Sequence, residues 1–214
     1  MLIEEIMHKD VAYLTAENTI EQAMNVMHER KIRHVPIVND KHELIAIVSD
    51  RDIRDASPSI FHADEHLEDL QKPLSSIMKT NVVTTGPLDF VEDAASTLYE
   101  HDISSLPVTE DDVLVGMITE TDILHTLVKL TGAHQPSSQI EIRVPNISGQ
   151  LADVAALFKA NNKNVTSVLV YPCEDPEYKI LVFRVQTMDP RRIIETLESS
   201  GYEVMWPRMP GMSP

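Results

Sequence analysis

Cysteine is nearly absent from this chain, which has one, Cys173, in 214 residues. A single cysteine excludes an internal disulfide framework and suits a reducing compartment. No run approaches the roughly 18–20 apolar residues that span a bilayer. The N-terminus, Met1 to Ile6, is acidic and has no basic segment followed by an apolar one, so we expect no signal peptide. These absences predict a cytoplasmic protein without a membrane partner.

Basic residues are also scarce, with 18 Lys and Arg against 34 Asp and Glu and a net charge of −16. This balance argues against a nucleic-acid partner, because a phosphate backbone requires clustered cations. The chain has no GxxxxGK loop, and no histidine lies near Cys173 in sequence to act as its base. We therefore expect no enzyme, no catalytic residues and no catalytic cofactor.

One short stretch occurs twice, as Ala46 to Ile53 and as Gly116 to Ile123. In each copy apolar residues lead to a hydroxyl residue, and an aspartate follows three positions later. The change from strand-forming to acidic residues predicts a strand that turns into a helix at the hydroxyl. A spacing of three would put hydroxyl and carboxylate on one side, where they could hold a ribose and its phosphate. The alternative is a capping box with no ligand role.

The repeat extends well beyond this stretch. At an offset of 71 residues Ile6-Met7 matches Ile77-Met78 and Pro36 matches Pro107, whereas Asp52 matches Asp122 at an offset of 70. The missing residue falls in a polar interval that reads as a hairpin turn. Each copy predicts β-α-β-β-α. The short first strands are Val11–Leu14 and Val82–Thr85, the helix starts are Asn18 with Glu21 and Asp89 with Glu92, and the buried helix residues are Ile20, Ala23, Met24, Met27, Val91, Ala94, Ala95 and Leu98.

The acidic connector between the copies contains His62 and His66. Two histidines four apart could share a helical face, but without a third ligand they do not make a metal site, so we expect a solvated acidic connector and no metal. After a linker that starts at Gly132, the pattern predicts β-α-β-β-α-β, the split β-α-β arrangement of ferredoxin-like folds. The fold class is therefore α+β, with three domains at residues 1–72, 73–132 and 138–208.

The tandem copies, each with a hydrophobic-Pro strand and a Ser/Thr-x-x-Asp-Ile close, resemble CBS domains paired into a Bateman module. The resemblance implies two clefts that bind adenosine-containing ligands such as AMP or ATP. It implies that Asp52 and Asp122 accept hydrogen bonds from ribose hydroxyls. It also implies that the hydroxyls Ser49 and Thr119 contact ribose or phosphate, that Arg51 binds phosphate, and that the base is walled by Val11, Ala12, Arg33, His34, Val35, Val82, Val83, Ser104, Ser105 and Leu106. Where the family often has glycine, this chain has Lys31 and Asp102.

The C-terminal segment resembles an ACT domain through Arg143 to Leu151 and Asn164-Val165. The resemblance implies a ligand loop at Asn146, Gly149 and Asn164. The usual acidic-x-Pro-Gly of that loop is Asn146-Ile147-Ser148-Gly149 here, which weakens the case for amino-acid binding and leaves dimerisation as the alternative.

The order CBS, CBS, ACT is similar to that of bacterial acetoin-utilisation proteins, together with Ser57 to Phe61, Leu88 to Glu92 and Leu169 to Pro172. The sequence thus predicts a regulatory protein that senses an adenine nucleotide, acts on an unknown protein target and is linked to acetoin or acetyl-CoA metabolism. Two alternatives remain: an interaction scaffold with vestigial clefts, and an amino-acid sensor.

Two further expectations concern assembly and charge. Apolar helix residues at Met24, Met27, Leu98 and Tyr99 predict a homodimer. A basic cluster predicts that the first cleft, the one with Asp52, prefers phosphorylated ligands, while the second holds adenosine-like ligands weakly or stays empty. The members of this cluster are Lys31, Arg33, His34, Arg51 and Arg54.

Overall fold

The structure is a computed structural model that describes residues 1–56 and 67–207. The chain divides into two compact units, Met1–Leu124 and His125–Pro214. The first unit contains the first copy and the second copy up to the first turns of its last helix, Glu120–Leu130. The connector histidines His62 and His66 lie outside the described residues.

The two copies have the same order of elements. The first contains α1 (Ile20–Arg30), β1 (His34–Val38), β2 (Leu44–Ser49) and α2 (Asp50–Ala56), and the second contains α3 (Val91–His101), β3 (Ser105–Glu110), β4 (Val113–Thr119) and α4 (Glu120–Leu130). Short 3-10 turns occupy Ile3–Glu5, Leu67–Gln71 and Leu74–Ser76.

The prediction that each copy begins with a short β-strand was wrong. Each segment is bound to its sheet by a single parallel bridge, Leu14 to Ile37 in the first copy and Thr85 to Val108 in the second. Only one residue of each segment is aligned with the hairpin, so the rest of the segment stays free to line a surface. The two hairpins themselves are antiparallel, β1 with β2 and β3 with β4.

Both helix starts lie one or two residues later than the sequence indicated. Thr19 caps α1, accepting a hydrogen bond from the Gln22 N–H at 3.2 Å, and the Gln22 side chain accepts from the Thr19 N–H at 2.9 Å. In the second copy the Asp89 carboxylate accepts instead from the Gly86 N–H at 2.7 Å, and α3 begins after Phe90 with no side-chain cap. These polar residues close the turns before the helices.

The length difference between the copies falls in the hairpin turn, as predicted. Val38 pairs with Leu44 in the first copy, and Glu110 pairs with Val113 in the second. The shorter turn places both Asp111 and Asp112 at positive φ, as a two-residue hairpin turn requires.

The copies exchange their leading segments. Ile3 is fully buried among residues of the second copy, beside Val91 and Leu106, and Leu74 is fully buried in the core of the first copy. Strand-like bridges follow the same exchange, because His8 bridges Met117 of β4 and Lys79 bridges Ile47 of β2. Each core is therefore completed by the segment that precedes the other copy in sequence.

Close approach at one of these bridges explains a glycine in a strand. A Cβ built on Gly116 would lie 2.6 Å from the Met7 sulfur and 3.2 Å from the His8 carbonyl oxygen. The equivalent position in the first copy is Ala46, which is fully buried. The exchanged N-terminal segment thus packs closely on β4, because Gly116 has no Cβ at the point where Met7 and His8 approach the strand.

Helical spacing predicted most of the two cores correctly. Ile20, Ala23 and Met27 of α1 are buried, as are Val91, Ala94 and Leu98 of α3. Met24 was predicted to be buried but is exposed. Conversely, Met27 and Leu98 belong to the cores, which removes them from the apolar surface expected at a dimer interface.

The second unit confirms the predicted β-α-β-β-α-β order. Its elements are β5 (Ser138–Pro145), α5 (Gln150–Ala160), β6 (Val165–Pro172), β7 (Tyr178–Val185), α6 (Arg191–Ser199) and β8 (Glu203–Trp206). The sheet order is β6-β7-β5-β8, and the three pairs of neighbouring strands are antiparallel. Phe158 of α5 stacks against Phe183 of β7 with ring centroids 4.6 Å apart. This is the split β-α-β topology.

The first long helix of each copy ends in the left-handed backbone conformation. Lys31 follows α1 with φ 54°, and Asp102 follows α3 with φ 51°. The N–H of each residue bonds back to its helix, to the carbonyls of Met27 and Leu98 respectively. Glycine is the usual residue at this position because it has no Cβ to clash, which accounts for the family preference that both copies depart from.

Replacing either residue with glycine is expected to stabilise the protein. The left-handed conformation costs a residue such as lysine about 1–2 kcal/mol, and the extra freedom of glycine in the unfolded chain offsets part of that gain. Lys31→Gly should therefore raise the free energy of unfolding by up to about 1 kcal/mol, and Asp102→Gly by less, because aspartate tolerates this conformation better. Urea denaturation measures both, and a destabilised Lys31→Gly would contradict the assignment.

Candidate ligand-binding clefts

Two open clefts lie in the first unit. The larger has a volume of about 570 Å³ and the smaller about 420 Å³. Both fall within the range typical of small-molecule sites. The larger is lined by His8, Asp10, Val11, Ala12, Arg30, Lys31, Ile32, Arg33, His34, Ser104, Ser105, Met117, Thr119, Thr121 and Asp122. The smaller is lined by Arg33, His34, Ile47, Ser49, Asp50, Arg51, Asp52, Lys79, Asn81, Val82, Val83, Asp102, Ile103, Ser104, Ser105, Pro107 and Glu120.

Each cleft combines the aspartate motif of one copy with the leading segment of the other. The larger cleft joins Thr119 and Asp122 of the second copy to Val11 and Ala12 of the first. The smaller joins Ser49 and Asp52 to residues 82–83. The two linings are related position by position through the sequence repeat, so the module has an approximate twofold relation between its clefts.

The predicted capping box is present in both copies. The Ser49 N–H and hydroxyl donate to Asp52 Oδ2 at 2.8 and 2.5 Å, and the Asp52 N–H donates to Ser49 Oγ at 3.2 Å. The second copy repeats this geometry, with the Thr119 N–H and hydroxyl at 2.9 and 2.6 Å from Asp122 Oδ2. The cap uses one oxygen of each carboxylate and fixes the direction of the other.

The second oxygen of each carboxylate contacts a basic side chain from the exchanged segments. Lys79 Nζ lies 2.8 Å from Asp52 Oδ1, and His8 Nε2 lies 2.9 Å from Asp122 Oδ1. The Lys79 side chain is 64% exposed and that of Asp52 only 11%, so the lysine is the solvent-exposed partner. Burial raises the pKa of Asp52, but the Lys79 ammonium and the Ser49 donors outweigh it and hold the pKa below 3.8.

The wall between the clefts is polar and shared. Arg33, His34, Ser104 and Ser105 line both cavities. His34 Nε2 lies 3.4 Å from Ser104 Oγ across the two copies. Burial, with the neighbouring Arg33 charge, lowers the pKa of His34 below 6.5. The imidazole is therefore mainly neutral at pH 7 and offers one donor and one acceptor to either cleft.

The structure places most of the predicted site residues along a cleft. Val35 and Leu106 are the exceptions, because both are fully buried in the cores. The predicted basic cluster is also divided: Lys31 lines the cleft with Asp122, and Arg51 lines the cleft with Asp52. Arg54 lines neither cavity and pairs with Asp50 at 3.3 Å. The prediction that these basic residues gather at one cleft was wrong, because each cleft is built from residues of both copies.

Sequence reasoning missed the two basic side chains that contact the aspartates. His8 and Lys79 occupy equivalent positions at an offset of 71, directly after the matched pairs Ile6-Met7 and Ile77-Met78. That periodic match was the available signal, but nothing local connects position 79 with Asp52 or position 8 with Asp122.

The residues predicted to form a ligand loop in the second unit bond to their own chain. The Asn146 side-chain amide donates to the Pro176 carbonyl oxygen at 3.2 Å, and that of Asn164 donates to Gln186 Oε1 at 3.1 Å. Gly149 begins α5 with φ 89°, which explains the glycine by backbone conformation.

Within the described ranges no three His, Cys, Asp or Glu side chains come together as a metal site would require. Nor does any described helix combine the length and apolar character needed to cross a bilayer.

A pair of pseudo-equivalent clefts, each built from two sequence copies around a capped aspartate, defines the first unit as a two-site binding module. The family model described as "CBS domain" matches residues 3–59 and 74–129, which together exceed half of the chain. The chain belongs to the CBS domain family.

Relatives and solved structures agree with this assignment. A CBS domain-containing protein of Dictyostelium discoideum is 30% identical over 64% of this chain and 99% of its own length. A homoserine O-acetyltransferase of Methanohalobium evestigatum is 36% identical over 56% of this chain, which spans only 23% of that enzyme.

Two solved structures resemble the same portion of the chain. The first is a protein of Vibrio cholerae assigned to acetoin utilization (AcuB), with 30% identity, a TM-score of 0.55 and coverage of 64% of this chain and 98% of that one. The second is the CBS domain pair of protein MJ0100, solved with 5′-methylthioadenosine and S-adenosylmethionine, with 26% identity, a TM-score of 0.53 and coverage of 63% and 98%. More than a third of the present chain has no counterpart in either.

The Lys79–Asp52 contact gives a pH-dependent prediction. Because the folded-state pKa of Asp52 is depressed, its contribution to stability is present above pH about 4 and is lost as the pH falls through the folded value. In Lys79→Met the carboxyl should titrate at a higher pH, because the ammonium is gone while the aliphatic stem remains. At pH 7 the variant should lose about 1 kcal/mol or less.

An NMR titration of the Asp52 carboxyl carbon in both proteins measures this shift. Lys72→Met is a matched control, since Lys72 pairs with Asp69 at 2.7 Å and lines neither cleft. An Asp52 titration that is unchanged in Lys79→Met would show that Lys79 does not hold this carboxylate in solution.

Proposed function

We propose that this protein is a regulatory sensor that binds adenosine-containing ligands in the two clefts of its CBS pair and has no catalytic role. The observation that carries the proposal is the capped aspartate. In each cleft one carboxylate oxygen, Oδ2, is held by the helix cap, and the other, Oδ1, contacts an exposed basic side chain, His8 or Lys79, that lines the same cavity. A carboxylate oxygen held in this way suits a pair of ribose hydroxyls.

The remaining linings supply what an adenosine needs. Val11 and Ala12 in one cleft, and Val82 and Val83 in the other, offer apolar surface for a base. Cationic side chains in both cavities can approach a phosphate. The neighbour crystallised with 5′-methylthioadenosine and S-adenosylmethionine supports this ligand class at 26% identity.

Ribose binding on this proposal requires the basic side chain at each aspartate to move. Lys79 and His8 contact the same Oδ1 atoms that the hydroxyls would use. Both side chains are about two-thirds exposed, so rotation towards solvent is open to them. Asp52 and Asp122 are largely buried, so the ribose hydroxyls must replace the contact that each carboxylate loses.

The particular ligands, the location and the metabolic link are proposed from the similarity of this chain to other CBS proteins. AMP and ATP are the proposed ligands among adenine nucleotides, with a cytoplasmic location and an unidentified protein target. The likeness to the Vibrio cholerae protein supports a link to acetoin or acetyl-CoA metabolism. The second unit is proposed to be an ACT domain that pairs subunits. Its loop is less suited to an amino acid, since Asn146 and Asn164 use their amide N–H groups within the chain.

Calorimetric titration with AMP, ATP, adenosine and then amino acids tests the function. Saturable binding of an adenine compound supports the sensor. A flat titration with every adenine compound would refute it and leave the scaffold reading, and binding of an amino acid alone would favour the ACT alternative.

The aspartates provide the sharpest test by mutation. Asp52→Ala and Asp122→Ala each remove charge-assisted hydrogen bonds worth about 1.5–3 kcal/mol, so each cleft should lose about tenfold to hundredfold in ligand affinity. Each variant should also lose about 1 kcal/mol of stability with the cap. Thr19→Ala is the control, because Thr19 caps α1 and lines neither cleft. It should lower the melting temperature without changing affinity.

If Asp52→Ala melts as early as Thr19→Ala but binds adenosine ligands as wild type does, the aspartate is a helix cap and nothing more. The same comparison applies to Asp122.

A homodimer is the proposed assembly. Tyr99 on α3 is 88% exposed, and Leu124, Leu127 and Val128 are exposed at helical spacing on α4. Light scattering at micromolar concentration should give twice the chain mass of 24.1 kDa. Leu127→Glu should shift the protein towards the monomer, and a monomeric wild type would contradict the proposal.

A further inference from the structure

The two clefts differ most at one pair of equivalent positions. Lys31 and Asp102 follow the first long helix of their copies with nearly identical backbone conformation, φ 54° and φ 51°. Both line a cleft, and their charges are opposite. Glycine would fit this conformation better, so in each copy a charged side chain stands where the backbone does not favour one.

Each of these charges shares a cleft with the aspartate of the opposite copy. Lys31 lies in the larger cleft with Asp122, and Asp102 lies in the smaller cleft with Asp52. The structure gives the Lys31 ammonium no ion-pair partner among the residues it describes, in contrast to Lys79, which contacts Asp52. The larger cleft therefore contains an amine that is available to a ligand.

The other charges strengthen the contrast. In the larger cleft Arg30 neutralises Asp10 at 3.3 Å, which leaves Lys31 and Arg33 beside Asp122. In the smaller cleft Arg54 pairs with Asp50 at 3.3 Å, which leaves three cations, Arg33, Arg51 and Lys79, with three carboxylates, Asp52, Asp102 and Glu120. The larger cleft thus has a net positive lining, and the smaller has a lining whose charges balance.

We propose that Lys31 and Asp102 assign ligands of different charge to the two clefts. The larger cleft takes an adenosine that carries a phosphate, and the smaller takes an adenosine whose 5′ substituent is uncharged or positive, such as a thioether or a sulfonium. A phosphate monoester carries about −1.5 to −2 charges at pH 7, so it is attracted by Lys31 in the larger cleft and repelled by Asp102 in the smaller one. The assignment rests on the proposed function, and it reverses the preference expected from the sequence.

The equivalence of the two positions allows a charge exchange as the test. AMP, S-adenosylmethionine and 5′-methylthioadenosine are titrated into wild type, Lys31→Asp, Asp102→Lys and the variant with both substitutions. Lys31→Asp should weaken AMP about tenfold or more and leave S-adenosylmethionine unchanged. Asp102→Lys should weaken binding of S-adenosylmethionine, leave the AMP site in the larger cleft intact and create a second AMP site in the smaller cleft. In the variant with both substitutions, AMP should bind in the smaller cleft and S-adenosylmethionine in the larger one.

5′-Methylthioadenosine is the uncharged reference and should change least in every variant. Lys31→Gly separates charge from backbone, because it removes the amine while suiting the left-handed conformation. It should weaken AMP although the protein melts no earlier than wild type.

Crystals of wild type soaked at limiting ligand should show AMP beside Asp122 and S-adenosylmethionine beside Asp52. AMP affinity that is unchanged in both Lys31→Asp and Lys31→Gly, or AMP bound beside Asp52, would overturn the charge assignment alone. Absence of binding by all three compounds to wild type would overturn the proposed function together with it.

Discussion

The exchange of leading segments between the two copies is the constraint on which the rest of the first unit depends. Ile3 completes the core of the second copy and Leu74 completes that of the first. Removing a fully buried Leu or Ile side chain from such a core costs about 2–5 kcal/mol. Neither copy can therefore keep its core intact without the segment that precedes the other, and the pair is expected to fold as one module.

The same exchange builds the clefts. Because the segments that begin at Ile3 and Leu74 continue to His8 and Lys79, each places a basic side chain 2.8–2.9 Å from the aspartate of the opposite copy. Two residues further on, Asp10 and Asn81 enter the linings. Core packing and site chemistry are thus consequences of one crossing of the chain, and the approximate twofold relation follows from the repeat.

The aspartates show how one carboxylate can make two kinds of contact. Oδ2 of Asp52 completes a helix cap, while Oδ1 contacts Lys79, which also lines the cleft. The sequence posed the cap and the ligand as alternatives, but a carboxylate has two oxygens, so the cap leaves Oδ1 for the ligand role proposed above. The cap also orients Oδ1, because two donors at Oδ2 restrict rotation of the carboxylate.

Local pattern was sufficient for the repeat, the hairpins, the second unit's topology and the Ser/Thr-x-x-Asp junctions, because each depends on residues close in sequence. It overestimated the first strands, where one bridge at Leu14 replaces a ladder, and it placed Val35 and Leu106 at the site although both are core.

The composition of each cleft could not be read from the chain. Because Ile6-Met7 and Ile77-Met78 match, the sequence pattern is compatible with a leading segment that packs on its own copy or on the other copy. Only the tertiary structure decides between these, through the burial of Ile3 and Leu74 in opposite cores. The packing of the two copies likewise decides that Lys31 shares a cleft with Asp122 and Asp102 with Asp52.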